Sequence, residues 1–180
     1  MKKLLAIPFF LVFLFGSIDV KSQLYAGGSY VYAQLSESGL DQVNGFSFDL
    51  QADFNLGFDK IIFSPTFRLA ILDSDIYNLN YPFYAKNFSF SPITAYNFIQ
   101  LKWLTISIYG GPFISKLEAR RAPSILFPAA FISDTRYGAE FGIGFKLNIY
   151  DVASVKINPL NLLIGNEYYR QGHINFMLNF

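Results

Sequence analysis

Few residues of this chain combine a reactive type with a useful spacing. The single histidine, His173, could serve as a general base if a serine and an acid such as Glu167 came within hydrogen-bond reach of it. Its neighbourhood, Gly172-His173-Ile174-Asn175, alternates in the manner of a strand, so His173 is read as facing or rimming an enclosed interior. Asp73-Ser74-Asp75 opens like a calcium-binding loop, but Tyr77 stands where an acid or amide is needed. Gly142-x-Gly144 has no helix behind it and does not make a nucleotide fingerprint. The absence of cysteine excludes thiolate chemistry and disulfides. The expectation is a protein without a catalytic centre, metal or cofactor.

The chain instead places charge on one side of strands. Over residues 45–57, Phe46, Phe48, Leu50, Ala52, Phe54 and Leu56 share one face, while Ser47, Asp49, Gln51, Asp53 and Asn55 share the other. A two-residue turn at Phe58-Asp59 sets Asp49 opposite Arg68, Gln51 opposite Thr66 and Asp53 opposite Ser64. Over residues 137–150 the same period puts Gly138, Glu140, Gly142, Gly144, Lys146 and Asn148 on the polar face. A three-residue connection at 151–153 then sets Asn148 opposite Lys156 and Lys146 opposite Asn158. Asp49, Asp53, Arg68, Glu140, Lys146, Asn148, Lys156 and Asn158 are thus the expected polar network. The three glycines leave room beside it, which Leu160 and Leu162, read as inward, either fill or line as a small apolar pocket.

Weaker alternation marks 24–34, 61–72, 88–99, 104–115, 155–164 and 171–180, giving eight strands. Long connections at 35–44, 73–86 and 116–133 alternate with short ones at 57–60, 100–103 and 151–153. Pro65, Pro92 and Pro159 fall inside strands, where they remove ladder donors. At the beginning, Lys2 and Lys3, the apolar run 4–15 and Val20-Lys21-Ser22 make a signal peptide over residues 1–22, leaving 23–180 as one domain. Aromatic residues are 19% of the chain and charged residues 15%, with mean hydropathy +0.30. Removing Lys2, Lys3, Lys21 and Asp19 from 14 basic and 13 acidic residues leaves 11 and 12, which gives no pull toward nucleic acid.

A soluble barrel would show the same period with its apolar face inward. The length of the apolar faces, and Tyr25, Tyr96, Trp103, Tyr137 and Tyr150 near strand ends as an aromatic girdle, favour lipid outside and charge inside. The final segment puts Ile174, Phe176, Leu178 and Phe180 on one face. It resembles the terminal strand of bacterial outer-membrane barrels, whose closing aromatic is an assembly signal. The mature chain as a whole resembles small eight-stranded proteins of the OmpX and OmpA-domain kind. That resemblance implies an all-β, antiparallel, up-and-down transmembrane barrel in the outer membrane, with both termini periplasmic. It implies outer-membrane lipid, lipopolysaccharide and the barrel-assembly machinery as partners. Some such barrels are lipid-modifying hydrolases, but the serine two residues after the histidine in the deacylase pattern is Asn175 here.

Two functions follow from this reading: a structural or adhesive barrel acting through its outer loops, or a barrel that binds or passes a lipid or small hydrophobic ligand. The segment 116–133 carries Arg120 and Arg121 beside an apolar run containing Phe127 and Phe131. It is either a partner-binding loop, with cations for lipopolysaccharide phosphates, or an extension of the flanking strands.

If Phe176, Leu178 and Phe180 form an assembly signal, replacing Phe180 with Asp should impair outer-membrane assembly more than Phe48→Asp does. Lipid energetics alone give the reverse order, because charge costs most near the midplane. Folded protein in outer-membrane fractions decides between them.

Overall fold

The computed structural model describes residues 22–34, 42–74, 83–121, 130–149, 153–166 and 170–179. They form eight strands: β1 (Ser22–Gln34), β2 (Gln42–Asn55), β3 (Ile61–Ser74), β4 (Phe83–Gln100), β5 (Leu104–Arg121), β6 (Ala130–Ile149), β7 (Ala153–Gly165) and β8 (Arg170–Asn179). Each pairs antiparallel with the next, and β1 pairs with β8 from Tyr25↔Asn179 to Gln34↔Arg170, which closes the barrel. Closure leaves no open edge along the paired length, so the backbone can cross lipid with its polar groups satisfied internally.

The two-residue period sorts the side chains. Phe46, Phe48, Phe67, Phe88, Ile114, Phe141, Ile174 and Phe176 lie exposed on the outside, and their neighbours in sequence turn into a narrow interior. Tyr96, Trp103 and Tyr137 also face outward, as a girdle requires. Tyr25 does not. It is fully buried in the lumen, where its hydroxyl meets Gln23 and Ser154. Tyr150, Phe127, Phe180 and residues 1–21 of the expected signal peptide 1–22 lie outside the described residues.

β2 and β3 pair as the turn at 58–59 predicts, with Asp49 opposite Arg68 and Gln51 opposite Thr66. Gly57 takes φ 85°, a left-handed conformation that suits glycine, and donates its N–H to Asn55 Oδ1 at 3.0 Å. Pro65 and Pro92 face each other across β3 and β4, so both donor gaps fall at one level.

The β6–β7 hairpin departs from expectation. Lys146 faces Lys156, and Asn148 faces Ser154. Adjacent like charges are tolerated because each finds its own partner, Lys156 on Asp53 and Lys146 on Gln23. Further along β7, the register against β8 shifts between Asn158 and Asn161, around Pro159. The bulge inverts the facing: Leu160 turns outward, and Asn161 and Leu163 turn in. Leu160 and Leu162 therefore do not fill the space beside the glycines.

The segment 116–133 is largely strand, since β5 runs on to Arg121 and β6 starts at Ala130. At about 3.4 Å per residue and a tilt near 40°, a strand of 20 residues such as β6 rises roughly 50 Å, about twice the apolar band of a membrane barrel. The wall made by β4, β5 and β6 thus projects beyond the band at the end where the long connections lie. Residues Ser22 and Asn179 sit at the opposite end, with the short connections.

Closure predicts that protein extracted in mild detergent migrates differently on gels before and after boiling and is cut by protease only within its connections. Recovery as a soluble monomer without detergent would contradict this.

Candidate functional site: the charged lumen and the projecting wall

Three strands bring three charges together midway along the lumen. Arg68 of β3 places Nη2 3.0 Å from Glu140 Oε1 on β6 and Nε 3.2 Å from Asp49 Oδ1 on β2, with all three side chains sealed from solvent. The remaining carboxylate valences are taken by neutral donors. Ser29 and Ser47 hydroxyls reach Asp49 at 2.7 and 2.8 Å, Asn175 Nδ2 donates to it at 2.6 Å, and Asn161 Nδ2 donates to Glu140 at 2.9 Å. Two carboxylates on one guanidinium would be costly to bury alone; the ring of amides and hydroxyls offsets that cost. These residues, drawn from β1, β2, β3, β6, β7 and β8, span the interior and plug it.

Toward the short-connection end lies a second cluster. Asp53 accepts from Lys156 Nζ at 2.7 Å, from Ser64 Oγ at 2.8 Å and from Gln51 Nε2 at 3.0 Å. Lys156 also stands 4.4 Å from the centroid of the Tyr25 ring. Lys146 donates to Gln23 Oε1 at 2.6 Å, and Asn148 belongs to the rim, where it donates to the Lys102 carbonyl at 3.2 Å. Asn158 is buried as expected, but not opposite Lys146.

The other half of the interior was not foreseen. Val31, Ala33, Val43, Ala70, Leu72, Ala85, Phe113, Leu117, Ala119 and Leu163 make an apolar core inside the barrel toward the long-connection end. Both faces of the strands are apolar there, so the alternation that marks the inward side fades. Beside the glycines of β6 the described residues leave a small cavity of about 20 Å³ that Gly144, Tyr109 and Asn158 help to line. The Tyr109 phenol lies over Gly142, where an added Cβ would collide with its oxygen, and Asn158 and Ser107 cover Gly144.

His173 sits in the charged belt, with Nδ1 3.4 Å from Ser29 Oγ. Serine, histidine and aspartate thus meet, but in the wrong order for nucleophilic catalysis. Asp49 binds the Ser29 hydroxyl directly instead of orienting the histidine, and all three are sealed inside the barrel.

Outside, on the projecting wall, Arg120 is exposed and its guanidinium lies 5.7 Å from the Phe131 ring centroid. Lys116 Nζ is 3.6 Å from Glu118, which pairs across the sheet with Lys86. Only the backbone of Arg121 is described, and Phe176 and Leu178 point outward from β8.

An apolar exterior around a charged, side-chain-filled lumen defines an eight-stranded transmembrane β-barrel of the outer-membrane type. No protein-family model and no curated protein sequence matches the chain. Solved structures do share the fold. The chain is similar to Ail, the attachment invasion locus protein of Yersinia pestis, solved in complex with the heparin analogue sucrose octasulfate, at 12% identity over 90% of this chain and 98% of that one, with a TM-score of 0.61. A major outer membrane protein of Thermus thermophilus matches at 10% identity, over 89% and 100%, with a TM-score of 0.61. Neisserial surface protein A matches at 14% identity, over 88% and 95%, with a TM-score of 0.56.

Because Arg68 serves two carboxylates, Arg68→Gln should destabilise more than Asp49→Asn or Glu140→Gln, by roughly 3–5 kcal/mol. In a double-mutant cycle, Asp49→Asn with Arg68→Gln should cost less than the two singles summed. Urea unfolding in detergent reads both, and additivity would show that the contacts are not coupled.

Proposed function

We propose that this chain is an outer-membrane barrel without enzymatic activity, anchored in lipid and acting through the wall that projects from β4, β5 and β6 in a structural or adhesive role. The observation that carries the reading is the plugged lumen: Asp49, Arg68 and Glu140 cross the interior on one side of an apolar core, so no aqueous or lipid path runs along the axis. With the interior committed to packing, the surface left for function is the projecting wall, where Arg120 and Phe131 stand exposed. A cation beside an aromatic ring suits an anionic, sugar-containing partner, and the heparin analogue bound by Ail gives that class a precedent on the same fold.

In this reading residues 1–22 are removed on export, both ends of the barrel face the periplasm, and the terminal aromatic residues engage the assembly machinery. The long-connection end then faces outward, as in other barrels of this kind.

Protein reconstituted in planar bilayers should give no stable conductance steps. It should bind immobilised heparin, and Arg120→Glu should weaken that binding without changing heat-modifiable migration. Sustained channel currents from the wild-type barrel would contradict the plugged, surface-acting reading.

A further inference from the structure

The cavity of about 20 Å³ beside the β6 glycines lies between the Arg68 belt and the short-connection end, lined in part by Ser107, Tyr109, Gly144, Lys146, Lys156 and Asn158. Its origin is in the ladder. The β6–β7 pairing shifts register between Ile143 and Phe145, and the β7–β8 pairing shifts between Asn158 and Asn161. Gly144 falls at the first of these shifts and brings no side chain inward, so the lumen is underfilled at its level. A Cβ added there would lie 2.8 Å from Asn158 Oδ1 and 3.1 Å from Ser107 Oγ, which places these two polar side chains over the glycine.

The charges around the cavity do not balance. Lys146 and Lys156 are cross-strand neighbours, and their ammonium groups lie 5.8 and 4.4 Å from the centroid of one ring, Tyr25. A single carboxylate serves the pair: Asp53 stands 2.6 Å from Lys156 Nζ and also accepts from Ser64 and Gln51. Lys146 Nζ bonds a neutral acceptor, Gln23 Oε1, and meets no carboxylate at ion-pair distance among the described residues. Two cations against one anion leave an unmatched positive charge in a part-buried site, where such a charge is costly. Donors are in excess as well. Ser107 Oγ makes a long bond of 3.4 Å to the Gly144 carbonyl, and the buried Tyr109 hydroxyl has no hydrogen-bond partner among the described residues.

We propose that this cavity binds one monoatomic anion, a halide such as chloride, as the counter-charge of Lys146. Size selects the ligand. A water-sized sphere occupies roughly 10–15 Å³ on the same measure, so the cavity holds one atom-sized ligand and excludes phosphate, sulfate and carboxylates. Charge then selects an anion over water, because a monovalent anion brings the local sum of Lys146, Lys156 and Asp53 to zero and a water does not. Lys146 and Ser107 are the donors that turn toward it. The way in is from the short-connection mouth, where Lys146 is only part-buried, while the Arg68 belt closes the other side. The ion is therefore a resident part of the plug and not a permeating species.

The test is crystallography of the barrel with bromide as the only halide, since bromide scatters anomalously. The wild type should show an anomalous peak in the cavity, beside Ser107 and Lys146. Lys146→Met removes the unmatched cation, and Gly144→Ala fills the space while leaving every charge in place; each should abolish the peak. Lys60→Met, in the β2–β3 turn, should leave it unchanged. Urea unfolding in detergent at constant ionic strength gives a second readout. Chloride at about ten times its dissociation constant should lower the unfolding equilibrium constant roughly tenfold relative to gluconate, an anion too large for the cavity, and both cavity variants should lose that difference. Heat-modifiable migration shows that each variant is still a closed barrel. A wild type without the bromide peak, equal stabilisation by chloride and gluconate, or a peak that survives both Lys146→Met and Gly144→Ala would overturn the proposal.

Discussion

Arg68 cannot be moved without moving the barrel. Its guanidinium bridges Asp49 and Glu140 across the lumen and so ties β2, β3 and β6 together through side chains as well as through the ladder. The triad is buried away from water, and serines of β1 and β2 and asparagines of β7 and β8 donate to its carboxylates, with His173 beside Ser29. Serving those carboxylates sets much of the interior of the middle of the barrel. It also fixes which face of each strand looks inward, because a one-residue slip would carry a charge into lipid and a phenylalanine into the belt.

The interior is therefore layered. A lysine–aspartate cluster at the short-connection end gives way to the Arg68 belt and then to an apolar core toward the long-connection end. Such filling uses up the lumen of an eight-stranded barrel, which is only wide enough for side chains. On the outside, β4, β5 and β6 are the longest strands and outrun the apolar band.

Much of this was legible in the sequence because the period of two is strict wherever one face meets lipid and the other meets charge. The strands through Asp49 and Glu140 alternate without a break, and the short turn after Asn55 made the pairing of Asp49 with Arg68 readable from counting alone. What could not be read has physical causes. A bulge at Pro159 inverts the facing of Leu160; the proline marks a gap in the ladder, but Pro65 and Pro92 sit in regular pairing, so the residue type alone does not announce a bulge. The one-step difference in where the β6–β7 connection begins moved Lys156 from Asn148 to Lys146, because only the reach across the lumen to Asp53 selects that register. Tyr25 looked like a girdle residue because a tyrosine near a strand end suits either side; its hydroxyl partners Gln23 and Ser154 decide for the lumen. The extension of β5 and β6 was hidden by an apolar run that reads equally well as loop or strand.

The central claim is that the fold is inside-out and sealed, with lipid on its apolar face and neither lipid nor bulk water in its core. Methyl NMR of the barrel in nanodiscs, with a lipid-soluble and then a water-soluble paramagnetic probe, tests it directly. The methyls of Leu69, Ile71, Ile114 and Ile174 should broaden with the lipid-soluble probe, and those of Val31, Leu117 and Leu163 with neither. Broadening of Val31, Leu117 or Leu163 by the water-soluble probe, or of the outward set by that probe alone, would contradict it.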